Sequence, residues 1–129
     1  MTAESATAVT GIRTVGVAVT DQERARHFYT HVLGLELRMD RPLGDGLRWI
    51  EVAPPGAGTS VALAARPDGA GVGVDTGIRF TVADAAAAHA ALVSRGVDVD
   101  PEVLHWPGVP AMFTLRDPDG NTLVLLEEG

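Results

Sequence analysis

Few side chains in this chain could do covalent or metal chemistry. There is no cysteine, which excludes disulfides, thiolate metal sites and cysteine nucleophiles. All ten basic residues are arginine, so Schiff-base chemistry and a phosphate-binding Walker lysine are excluded as well. His27 and His31 are four apart, a spacing that can bind a metal, but they flank an apolar helical stripe and read as surface residues. His89 lies among alanines and says little. His105 differs because Trp106-Pro107-Gly108 follows it; it is either a solvated loop residue or part of a ligand-binding mouth. Asp117-Pro118-Asp119-Gly120-Asn121 is rich in oxygen donors but lacks acidic ligands at calcium-loop spacing, and its composition is that of a tight turn.

The elements that must position these residues follow from periodicity. Ile12–Val19 alternates as a half-buried strand, and Thr20-Asp21 opens a helix with the stripe Ala25, Phe28, Tyr29, Val32 and Leu33, closed by Gly34. Strands are expected at Leu35–Met39, Leu47–Ala53 and Ser60–Ala65, separated by clusters of turn-forming residues. After the glycine-rich stretch beginning at Pro67 the order restarts. Ile78, Phe80 and Val82 alternate, Asp84 opens an alanine-rich helix to Arg95, Gly96 stops it, and strands are expected at Val97–Leu104, Ala111–Arg116 and Thr122–Leu126. Aligning Asp21 with Asp84 gives an offset of 84 − 21 = 63, with Gly34 one residue away from the counterpart of Gly96. Two copies are too few for a solenoid and indicate a pseudo-twofold domain.

Composition bounds the partners. With 129 residues, 46% of them hydrophobic, the chain is long enough for one compact domain. A net charge of −7 disfavours nucleic acid and anionic membrane surfaces. The opening residues 1–10 lack a basic region and a long apolar run, so they read as a flexible tail on a cytoplasmic protein.

The stretch V-x-V-T-D-x-x-R-A-x-x-F-Y-x-x-V-L-G-L at Val17–Leu35 and the stretch R-D-P-D-G-N-T-L-V-L-L-E at Arg116–Glu127 resemble the vicinal oxygen chelate superfamily. This superfamily includes glyoxalase I, extradiol dioxygenases, fosfomycin-resistance enzymes and bleomycin-resistance proteins. The resemblance covers about Ile12 to Glu127 and implies an α+β fold. Two βαβββ modules, residues 11–66 and 75–128 joined by a linker at 67–74, would form a pseudo-twofold cup of eight mixed strands. In enzymatic members, histidine and glutamate side chains on the concave face hold a divalent metal. The matching positions here are Thr14, Gly77 and Val124, and the strand Val61–Ala65 has no side-chain donor. The resemblance therefore predicts a cup with no metal and no cofactor.

A cup without a metal leaves its walls. Trp106 in the mouth loop could stack on a planar ligand, and Trp49 in the third strand is either core or a contact. Arg79 could pair with a polar or anionic group or with a rim carboxylate. Met39, Met112, His105 and Thr14 complete the candidate ligand-binding set. Two functions compete: a homodimeric binding protein that sequesters an aromatic or bulky natural product, and an enzyme of lyase, isomerase or dioxygenase type with an altered or absent metal site, using His105 or Glu51 as acid or base. The shortage of reactive side chains favours the first.

Overall fold

The computed structural model describes residues 6–129, so the first half of the expected tail lies outside the described residues. Strand β1 (Thr14–Val19) leads into helix α1 (Gln22–His27), which runs on into a π-helical turn (Phe28–Val32). Strands β2 (Glu36–Gly44), β3 (Leu47–Ala53) and β4 (Ser60–Ala65) follow. The second half repeats the order with β5 (Asp75–Val82), α2 (Ala85–Ser94), β6 (Met112–Arg116) and β7 (Thr122–Glu127).

Both helices start and stop by the same chemistry. The Asp21 carboxylate accepts from the Arg24 N–H and the Asp84 carboxylate from the Ala87 N–H, each at 3.0 Å, satisfying a free donor of the first turn. At the other ends Leu35 N–H donates to Tyr29 O and Val97 N–H to Leu92 O, across Gly34 (φ 77°) and Gly96 (φ 74°). Only a residue that tolerates positive φ fits this cap. From capping aspartate to closing glycine, the first copy spans 34 − 21 = 13 residues and the second 96 − 84 = 12. The π-helical turn absorbs the extra residue, with Leu33 N–H bonded to Phe28 O at 3.1 Å.

The strands form two mixed sheets, ordered β1-β4-β3-β2 and β5-β7-β6. In each, the first strand runs parallel to its neighbour and the other ladders are antiparallel. In place of the expected eight-stranded cup there are seven strands in two sheets among the described residues. The segment expected as a strand at Val97–Leu104 keeps only isolated bridges, Val99 to Leu115 and Leu104 to Met112. Pro101 lacks an N–H and the chain bends at residues 101–102, which breaks the ladder along this edge. At the opposite extreme, β2 extends through Arg41-Pro42-Leu43-Gly44, expected as a turn; the reversal is confined to Asp45-Gly46.

One buried cluster joins the helix-side faces of both sheets. It includes Val17, Val19, Ile50, Val52, Val61 and Leu63 from the first, and Phe113, Leu115, Leu123 and Leu125 from the second. Each fully buried side chain of this kind contributes about 1.5–3 kcal/mol. No strand ladder pairs β1 with β5 among the described residues; side chains make the join. The Asn121 amide donates to Ala18 O at 2.9 Å while its oxygen accepts from Gly73 N–H at 2.8 Å. Asp117 accepts from the Tyr29 hydroxyl at 2.8 Å and from the Asn121 amide at 3.0 Å. Asp119 accepts from the Thr20 hydroxyl at 2.6 Å. The Asp117–Asn121 turn is thus a turn and also the junction between the two halves.

Candidate ligand site

Strand register assigns the faces. Val17, Val19, Ile50, Val52, Val61 and Leu63 point at the helix side, so their sequence neighbours point to the open side of the first sheet. Thr14 stands opposite Ser60, Met39 opposite Glu51, and Arg41 opposite Trp49. On the second sheet Arg79 stands opposite Val124 and Met112 opposite Leu126, away from buried Leu123 and Leu125. The register against β7 shifts between Asp75 and Arg79, yet exposure alternates along the whole of β5, with Gly77 and Arg79 on its exposed face. His105 and Trp106 lie in the exposed loop that follows Leu104, itself bonded to Met112. The candidates thus divide between the two sheets.

Trp49 is not a core residue. It is 42% exposed, and its indole N–H donates to Glu51 Oε2 at 2.7 Å. Glu51, two residues on along the same strand face, is only 4% exposed. Its Oε1 accepts from the Ser60 hydroxyl at 2.6 Å, and Arg13 donates to Oε2 at 3.1 Å. Burial pushes the carboxyl pKa up, but the bonds from Ser60, Trp49 and Arg13 together outweigh it and hold Glu51 below the ordinary carboxylate range. Glu51 is therefore an ionised anchor with both oxygens engaged. It is badly suited to act as a base and cannot serve as an acid near neutrality.

Beside Trp49 lies a cavity of about 300 Å³, walled by Leu43, Leu47, Ala62 and Ala64 with Arg48 and Arg66 at its edge. Gln22 explains why the sheet opens here. Its amide donates to Arg48 O at 2.6 Å and Leu63 O at 2.8 Å, and its oxygen accepts from Arg48 N–H at 3.1 Å. The regular β3–β4 pairing is confined to Glu51–Ala62 and Val52–Val61, and the Gln22 side chain takes its place beyond that point. Sequence reading missed this role, as it missed Leu43 and Leu47. The Trp49-x-Glu51 pair on one strand face was the available signal.

A second cavity of about 340 Å³ lies where the edges of β1 and β5 face each other, lined by Val15, Ser60, Ile78, Arg79 and Phe80 among others. Arg79 has no carboxylate partner among the described residues; its guanidinium donates to Gly77 O at 3.3 Å. Trp49 and Arg79 therefore line different cavities, and neither cavity includes Thr14, Met39, His105, Trp106 or Met112.

The donor set does not fit a metal of the kind the resemblance implies for enzymes. Thr14, Gly77 and Val124 offer one hydroxyl between them, and no three His, Asp or Glu side chains come together among the described residues. His27 and His31 stack at 4.5 Å on the exposed helix face, remote in the sequence from the Trp49 cavity. Tyr29 is no alternative base: burial and the neighbouring Asp117 carboxylate push its phenol far above its ordinary value.

This architecture, two linked βαββ(β) units with open sheet faces, defines a class, and comparison with known proteins gives it a name. Residues 11–125 match the Glyoxalase/Bleomycin resistance protein/Dioxygenase superfamily, and the chain belongs to it. The uncharacterized protein YetH of Bacillus subtilis (strain 168) is 32% identical over 119 residues, covering 90% of this chain and 97% of its own. TnmS3, an antibiotic binding protein from Streptomyces sp. CB03234, is 34% identical with a TM-score of 0.81, over 95% of this chain and 98% of its own. A superfamily member from Sphaerobacter thermophilus DSM 20745 is 33% identical with a TM-score of 0.83, over 93% and 98%.

Proposed function

We propose that this protein binds a planar, aromatic natural product in its open sheet faces and releases it unchanged, without a metal. The observation that carries this reading is Trp49: an exposed indole whose orientation is held by a buried, ionised carboxylate, beside an apolar cavity. A side chain ordered in advance loses little freedom when a ligand stacks on it, which favours affinity. The likeness to an antibiotic binding protein at 34% identity supports the same class of ligand. Trp106, His105, Arg79, Met112, Met39 and Thr14 are assigned to the remaining contacts, and the protein acts in the cytoplasm. An enzymatic role is disfavoured because Glu51, the buried carboxylate on the open side of the first sheet, is held ionised with both oxygens engaged.

The functional form is a homodimer. Leu43, Leu47 and Trp49 on one sheet and Leu104, Trp106 and Val109 beside the other are all exposed in the single chain. A second copy would cover part of this surface and bring the divided candidate residues around a common ligand. Tryptophan fluorescence tests the binding: aromatic antibiotics should quench emission, Trp49→Phe and Trp106→Phe should each remove part of the quenching, and loss of neither signal in both variants would refute the assignment.

A further inference from the structure

We propose that the cavity beside Trp49 selects ligands that carry an anionic group, read by Arg66. This rests on the binding function proposed above and adds the charge class of the ligand. The chain has a net charge of −7, yet no carboxylate lines this cavity. Its only charged lining residues are Arg48 and Arg66. Arg48 is already neutralised, bonded to Asp40 at 2.6 Å and to Glu23 at 3.0 Å. Arg66 is not: among the described residues it forms no salt bridge, and its guanidinium donates only to the carbonyl of its neighbour Ala65 at 2.9 Å. Its backbone N–H is fixed to Val19 O at 2.7 Å, so the side chain leaves a firmly held strand end at the cavity rim. Glu51, on the same strand face as Trp49, is buried and has its charge taken up by Arg13, Trp49 and Ser60.

An apolar wall, an ordered indole and one unsatisfied guanidinium match a flat aromatic ring with a carboxylate, sulfonate or phenolate at its edge. The ring would lie against Trp49 and the alanines of β4, and the anion would take charge-assisted hydrogen bonds from Arg66. Arginine suits this task because its planar fork can donate two parallel bonds to one anionic group.

The test uses three probes with one ring system: 2-naphthoate, neutral 2-naphthamide and cationic 2-naphthylmethylammonium, titrated by calorimetry into the full chain. Naphthoate should bind about tenfold more tightly than naphthamide, and raised salt should weaken the anion alone. Arg66→Gln should remove most of the preference, weakening naphthoate far more than naphthamide, and leave the melting temperature unchanged, since the altered side chain is exposed. Equal affinities for the three probes, a preference for the ammonium, or an anion preference that survives Arg66→Gln would overturn the charge assignment and leave the binding reading standing. Failure of all three probes to bind at millimolar concentration would contradict both.

Discussion

Glu51 shows how a single residue can be misread by type and corrected by environment. As a glutamate on a strand facing the open side it is a candidate base; with Ser60, Trp49 and Arg13 donating to it, it is an anchor. Removing it should leave the Ser60 hydroxyl and the Trp49 indole without their acceptor. Glu51→Ala is expected to cost about 2 kcal/mol in urea denaturation, the range for lost hydrogen bonds to a charged group, with the exposed Arg13 pair adding little. The same variant should broaden or shift Trp49 emission, since the indole is no longer held. Trp49→Phe should cost about 1–2 kcal/mol, for the indole bond to the buried Glu51 carboxylate, because a half-exposed ring leaves no cavity behind. A loss of several kcal/mol in that variant would mean that Trp49 is core after all.

At the scale of elements, side-chain amides do work that backbone ladders do elsewhere. Gln22 bridges β3 and β4 where their pairing stops, and Asn121 links the end of β1 to the start of β5. Gln22→Ala should strand the buried Leu63 carbonyl and is expected to lower stability by about 2–3 kcal/mol. The exposed cap variant Asp21→Ala should cost about 1 kcal/mol; equal losses in the two would show that the amide bridge is no more than a surface contact. Neither bridge was legible in the sequence, because a polar residue that bonds backbone 26 to 103 positions away leaves no local pattern. What was legible was local: β3 and β4 match their expected bounds, and both capping aspartates and both closing glycines were read from type and spacing. The one-residue offset between the copies was visible too, though its physical form, a π-helical turn, was not. The strand expected at Val97–Leu104 is reduced to isolated bridges where Pro101 offers no N–H to the ladder.

For the whole molecule, charge sets the pH response. Glu23 is held down to about 2 by hydrogen bonds from Arg26 and Arg48, and Asp40 lies below its ordinary range for its bond to Arg48. Glu51 is lowered as well. A carboxylate whose pKa falls on folding contributes stability that is complete above its unfolded value, near 4.5 for glutamate, and lost as pH drops through the folded value. The melting temperature should therefore be flat from neutrality to about pH 5 and fall steadily toward pH 2. A protein whose stability rose on acidification through this window would contradict the ion-pair assignment.

The two open faces, the divided candidate residues and the exposed tryptophans support the function proposed above, that the chain holds a planar ligand and releases it unchanged. The direct measurement is calorimetric titration of chelator-treated protein with a panel of aromatic antibiotics, followed by mass analysis of the ligand recovered after prolonged incubation with and without added divalent metal. Binding should be saturable and unweakened by chelation, and the ligand should keep its mass in both incubations. A ligand converted to product, or binding that appears only when metal is restored, would contradict the proposed metal-free binding role.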